Sequence, residues 1–183
     1  MRPSVLIAFT DTGGEAPAVR AAAECFGANV FYYPIGRPAD FLAVLEGKTG
    51  FPRPDIVVLS LHGEDGAFLM PELADWIYLP GEPRGAVGPE IVREHLAPGG
   101  PAVLSTACAT GGEEMAAAFR EKGVFYAAPA EEVEGSAALM FAVRFLYELL
   151  ARGKTCAEAV GPAASADEET ALFRSAGEGG APC

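Results

Sequence analysis

A chain of 183 residues, half of them hydrophobic and with a mean hydropathy of +0.22, is long enough for one domain with a buried core and too apolar to remain disordered. Thirteen basic residues against 25 acidic ones give a formal net charge of −12, which repels a phosphate backbone or an anionic lipid surface and excludes nucleic acid as an expected partner. Four cysteines without a CxxC pair and only two histidines supply no metal cage, so no metal or cofactor is expected, and the thiols point to a reducing, cytoplasmic setting.

The chain opens on SVLIAFT (4–10), an apolar run too short for a signal peptide and suited to a strand buried on both faces. The turn-rich DTGGEAP follows, and APAVRAAAECFGA (16–28) has helical composition with Gly27 as a stop signal. NVFYYPI (29–35) is aromatic and β-branched and predicts a second strand, with a short helix from Pro38 to about Glu46 after it. DIVVLSL (55–61) predicts the third strand, ending at His62-Gly63. Residues 64–88 carry no clear period, and within them FLMPELADWIYLP (68–80) leaves room for a small hairpin or a helical turn.

AVGPEIVREHLA predicts a helix closed by PGGP, and AVLSTA (102–107) the fourth strand. GGEEMAAAFREKG predicts a helix with acidic residues in its first turn, where the helix dipole favours them. VFYAAPA is the fifth strand, and residues 136–152 form a long helix. Arg144 and Glu148 lie inside that helix and exclude it as a bilayer span. Strand and helix in alternation imply parallel strands with right-handed crossovers, so the predicted fold is a three-layer α/β sandwich around a mainly parallel sheet. One domain over residues 1–163 is expected, with the small and acidic 164–183 as a flexible tail.

Ligands of such sheets bind beyond the carboxyl ends of the strands, where strand order reverses, and both His62 and Cys108 fall at carboxyl ends. If their strands are neighbours, about 4.8 Å apart, a thiol and an imidazole share one cleft. That pair suits acyl transfer, with thiolate as nucleophile and imidazole as proton carrier. Gly63 has no side chain to block its N–H, which with the Cys108 N–H would form an oxyanion hole. A lone cysteine after a strand is otherwise a small buried hydrophobe, and the position of His62 is what favours the nucleophile. His95, within VREHLA, reads as a helix-surface or C-terminal capping histidine. Asp11, Glu64 and Asp65 are candidate substrate-binding carboxylates for an Arg or Lys side chain, with Glu131 and Glu132 nearby and Asp11 foremost. Most of the other acidic residues read as solvated surface.

DIVVLSLHGEDG followed by AVLSTACATGGEEMAAAFREKGVFYAAPAEEVEGSAALMFAVRFLYELLARGKTCAEAV resembles the caspase-like cysteine peptidases, in particular the bacterial CHAT branch. The shared features are a strand ending in His-Gly, a strand ending in Ser-Ala-Cys-x-Thr-Gly, and a long helix ending in Gly-Lys/Arg-x-x-x-Glu-Ala. Thr106 stands for the Ser, and EEVEGS (131–136) replaces a Trp-x-Val-Asp-Asp-like segment. The resemblance spans roughly residues 55–160. It implies a caspase-like fold, Cys108 as nucleophile, His62 as general acid/base, Gly63 as an oxyanion contributor and a peptide or protein substrate.

Two other readings stay open. FTDTGGEAPAVRAAAECFGANV resembles the opening of class I amidotransferases and PfpI-type proteins, with Glu15 as an acid partner, but that reading leaves His62-Gly63 without a role. Alternatively the domain is a catalytically idle caspase-like scaffold that binds a protein, with Trp76 and Tyr78 as contact residues. Nothing in the residues indicates an oligomeric state.

Overall fold

Strands whose alternate residues are all apolar must be covered on both faces, and that requirement sets the layers. The computed structural model describes residues 2–178. In chain order the elements are β1 (Ser4–Phe9), α1 (Glu15–Cys25), β2 (Asn29–Pro34), α2 (Pro38–Leu45), β3 (Ile56–Ser60), β4 (Gly63–Glu64), β5 (Ala67–Leu69), β6 (Ala86–Val87), α3 (Pro89–His95), β7 (Ala102–Ser105), α4 (Glu113–Glu121), β8 (Tyr126–Pro129), α5 (Gly135–Leu146), α6 (Cys156–Ala163) and β9 (Phe173–Ala176). Six strands form one sheet in the order β2-β1-β3-β7-β8-β9, parallel except for the last. One face of the sheet, with Val5, Ile7, Val58 and Leu104, packs on α1, α5 and α6. The other, with Leu6, Ala8, Leu59 and Val103, packs on α2, α3 and α4. The chain is therefore a three-layer α/β sandwich, and the strand order reverses beside β1.

The long helix runs as expected from Gly135 but ends in a π-helical turn over Tyr147–Ala151. Glu148 within that turn is buried between Arg144 and Lys154, each 2.6 Å away. Among the described residues no helix is long and apolar enough to cross a membrane. The Gly-Lys-Thr-Cys-Ala-Glu-Ala stretch then has a local meaning. Gly153 takes a left-handed φ of 68° and Lys154 pairs with Glu148. Thr155 and Glu158 form the reciprocal hydrogen bonds of a capping box that starts α6.

The segment expected as a flexible tail behaves differently. β9 pairs antiparallel with β8 from Pro129↔Phe173 to Tyr126↔Ala176 and closes that edge of the sheet. Phe173 is its anchor, buried and stacked on Phe141 at 3.7 Å between ring centroids. A four-residue strand with a single buried hydrophobe has too short a pattern to stand out in an acidic stretch. Residues 179–183, with Cys183, lie outside the described residues.

A hairpin forms at residues 63–69, ahead of the 68–80 stretch in which a hairpin or helical turn was expected. Asp65 and Gly66 both have positive φ, 49° and 78°, as a two-residue Asp-Gly turn demands. The rest of the excursion is tied down by Glu82, whose side chain is 1% exposed. Its carboxylate accepts a bidentate pair from Arg37 at 2.9 and 2.7 Å, and the N–H groups of Ala39 and Leu79 at 2.8 Å each. Those bonds satisfy an orphan N–H in the first turn of α2 and hold Glu82 far below the usual carboxylate range, at about 2, with Arg37 the main cause.

A carboxyl depressed in the folded state stabilises above its unfolded value and loses that stabilisation as the pH falls through its folded one. Glu82→Gln should therefore lower the melting temperature at pH 7, by about 2–4 °C for each kcal/mol lost in a domain of this size. The gap to wild type should narrow as the pH falls from the ordinary 4.5 toward about 2. Thermal melts across that range measure it.

Candidate active site

The last paired residues of β3 and β7 are Leu59 and Ser105, and the Thr106 N–H donates to the Leu59 carbonyl at 3.0 Å to extend the ladder by one bond. His62 and Cys108 each lie three residues beyond that pair, so the two chains leave the sheet side by side with equal offset. His62 leads into β4, while Cys108 begins a tight turn. Ala109 adopts a left-handed φ of 57°, a strained conformation for a residue with a Cβ. The turn is held from the neighbouring strand: the Ala109 N–H donates to Glu131 O at 3.0 Å and the Gly111 N–H to Pro129 O at 2.7 Å.

Two glycines are required here by contact. A Cβ on Gly63 would collide with the Cys108 carbonyl oxygen and meet Thr110 Cγ2 at 2.8 Å, so the residue after His62 lies directly against the backbone of Cys108. A Cβ on Gly111 would collide with the Ala128 carbonyl oxygen. Among the described residues the Cys108 N–H donates to no backbone or side-chain acceptor.

His62 is exposed, and its Nε2 lies 2.9 Å from the Asp11 carbonyl oxygen. A carbonyl only accepts, so Nε2 carries the hydrogen, and the neutral ring keeps its lone pair on Nδ1. Cys108 is half-buried, and its thiol donates to the Val133 carbonyl at 3.5 Å. Cys25 is exposed at the end of α1 and Cys156 is buried in the first turn of α6, so neither shares this edge.

Beneath the two residues lies a polar floor. Glu15 Oε1 accepts from the hydroxyls of Ser60 and Thr106, both at 2.6 Å, and Thr12 Oγ1 is 2.8 Å from Ser60 Oγ. Glu15, the acid partner in the amidotransferase reading, is thus engaged with two hydroxyls. Under the Cys108 turn, the Thr110 hydroxyl donates to Ala107 O at 2.8 Å and receives the Tyr126 hydroxyl at 2.9 Å. Burial pushes the Tyr126 phenol well above its usual range, so it remains a neutral donor. Sequence patterns missed this floor, because Ser60, Thr106 and Tyr126 sit inside runs that read simply as strands. The available signal was a hydroxyl residue two places before both His62 and Cys108.

The candidate substrate-binding carboxylates are exposed and follow the two residues closely. Asp11 touches His62 through its carbonyl, and Glu64 and Asp65 form the hairpin immediately after it. Glu131, also exposed, meets Ala109 through its carbonyl. His95 is elsewhere, at the end of α3, with Nδ1 2.6 Å from Glu46. Trp76 is 86% exposed, whereas Tyr78 is half-buried beneath the Arg84 guanidinium, 4.6 Å from its ring centroid. Among the described residues no three His, Cys, Asp or Glu side chains converge as metal ligands.

The sequence matches no protein-family model, and no curated protein matches it. The fold is similar to that of a solved cysteine proteinase, the Arg-specific gingipain R, with a TM-score of 0.63 and 12% identity, over 96% of this chain and 46% of that one. The architecture is accordingly the caspase-like α/β sandwich. The chain spans about half the length of that neighbour.

Gly63→Ala should be felt both in stability and at the thiol. Forcing a methyl group against the Cys108 backbone is overpacking, worth about 1–3 kcal/mol. Lower melting temperature together with slower alkylation of Cys108 is the expected result, measured by calorimetry and peptide mass spectrometry. Ala at the open position 112, where an added Cβ meets nothing, is the control.

Proposed function

We propose that this domain is a cysteine endopeptidase of the bacterial CHAT type, acting on peptides or proteins in the reducing cytoplasm, with Cys108 and His62 as its dyad. The observation that supports it most is the equal offset of the two residues past the Leu59–Ser105 pair, with Gly63 against the Cys108 backbone. In this reading His62 Nδ1 takes the Cys108 thiol proton and the thiolate attacks the scissile carbonyl carbon. The Gly63 and Cys108 N–H groups receive the developing oxyanion. The imidazolium then gives its proton to the amide nitrogen as the C–N bond breaks, leaving an acyl thioester and a free amine. A water molecule, deprotonated by the same imidazole, attacks the thioester, releases the carboxylic acid and restores the thiol. The Asp11 carbonyl accepts from Nε2–H in both the neutral ring and the imidazolium, which leaves Nδ1 as the nitrogen that takes and returns the proton.

The proposed substrate carries Arg or Lys before the scissile bond. Asp11, Glu64 and Asp65 supply exposed negative charge beside His62, and the structurally similar gingipain R is an Arg-specific enzyme. A scaffold function is the second reading, favoured by Trp76 together with the exposed Ile77 and Leu79 on the excursion anchored by Glu82.

Hydrolysis of a fluorogenic peptide library separates these readings. Peptides ending in Arg or Lys should be cleaved about tenfold faster or more than the same peptides ending in Asp. Cys108→Ala should abolish turnover, and His62→Ala should lower kcat/KM by roughly 10²–10⁴. Neutralising Asp11, Glu64 and Asp65 together should raise KM for the Arg peptides. Absence of any Cys108-dependent hydrolysis across the library would transfer the case to the scaffold.

A further inference from the structure

Past the Leu59–Ser105 pair the backbone ladder between β3 and β7 ends after one more bond, yet two further residues on each chain separate it from His62 and Cys108. What joins the chains there is a side-chain staple. Ser60 and Thr106 occupy matching places, each two residues before one member of the pair, and they are 0% and 4% exposed. Both hydroxyls lie 2.6 Å from the same atom, Oε1 of Glu15. That separation is typical of a hydroxyl bonded to an ionised carboxylate. A carboxylate oxygen only accepts, so the Ser60 proton is committed to Glu15, and the Thr106 proton points chiefly there, with a longer 3.3 Å contact to the Leu59 carbonyl. The Ser60 oxygen is then left to accept, and Thr12 Oγ1, 2.8 Å away, must be its donor. One directed set of bonds thus joins the loop after β1, the first turn of α1 and the ends of β3 and β7.

We infer that Glu15 is a positioning residue: its carboxylate sets the spacing and rotation at which β3 and β7 present the His62 imidazole and the Cys108 thiol to each other. The inference rests on the dyad reading above and adds to it the device that replaces the backbone ladder where the two chains diverge. Thr106 carries its half of the device through the hydroxyl alone, so serine at that position serves equally and valine, the same shape without the hydroxyl, does not.

The test is iodoacetamide labelling of Cys108 in the full chain, from about pH 5 to pH 9, read by peptide mass spectrometry. The proteins are wild type, His62→Ala, Glu15→Ala, Thr106→Val and Thr106→Ser. Glu15→Ala and Thr106→Val should slow labelling near pH 6.5 by about tenfold and take on the pH profile of His62→Ala, while Thr106→Ser stays within about twofold of wild type. If Glu15→Ala and Thr106→Val are folded by circular dichroism and keep the wild-type profile while His62→Ala loses it, the positioning role is overturned and the dyad stands. Lost peptide turnover with unchanged labelling places Glu15 against the substrate and overturns the role as well. A His62→Ala profile identical to wild type defeats the dyad itself and this inference with it. Should Glu15→Ala fail to fold, Glu15→Gln keeps an acceptor oxygen without the charge: a smaller slowing with the same change of profile supports the role, and a wild-type profile overturns it.

Discussion

Parallel pairing of β3 with β7 is the constraint on which the carboxyl edge depends. Because Leu59 faces Ser105, the chains that follow emerge side by side and in phase, and His62 and Cys108 are the third residue out on each. A slip of one residue would turn every side chain of one strand to the opposite face. The register is protected by burial: Ile56 through Ser60 are all buried, and their apolar side chains are divided between two cores. The position of His62 and Cys108 is therefore a consequence of core packing some way beneath them.

Packing delivers the chains, and polar contacts finish the geometry. Gly63 lets the loop after β3 lie against the Cys108 backbone, and Gly111 lets the start of α4 lie against β8. Between these close approaches the Glu15 staple and the Thr110–Tyr126 bonds satisfy buried hydroxyls that would otherwise be costly. Thr110 and Gly111 thus have structural reasons to follow Cys108, and the strained Ala109 is over-determined by its bond to Glu131. A net charge of −12 adds a field that favours a cationic partner at an edge where Asp11, Glu64, Asp65 and Glu131 are exposed.

Much of this was legible in the residues, for identifiable reasons. DIVVLSL and AVLS are short apolar runs bounded by turn signals, and strict alternation with helices forces parallel pairing, so the ends carrying His62 and Cys108 were readable. The hairpin at 63–69 was readable only in part: Asp65-Gly66 is its signal, but flanking strands of two and three residues give no period. β9 was misread as tail because antiparallel edge pairing through backbone leaves almost no pattern, and one phenylalanine stacked on α5 supplies its anchor. Glu15 was read as the acid partner of an amidotransferase-like site, and its contacts with Ser60 and Thr106 were not legible. A carboxylate at the start of a helix looks like a dipole partner, and only the three-dimensional arrangement brings it to hydroxyls on two separate strands.

The claim that Cys108 and His62 work as one unit on a peptide is tested most directly by covalent trapping. Intact and peptide mass spectrometry would follow the folded protein with a peptidyl chloromethyl ketone ending in arginine. The account predicts a single adduct, on Cys108, that forms at least about tenfold more slowly in His62→Ala and is prevented by an excess of an uncleavable arginine peptide. An adduct on Cys25 instead, or one on Cys108 that forms equally fast without His62 and is indifferent to the competing peptide, would contradict it.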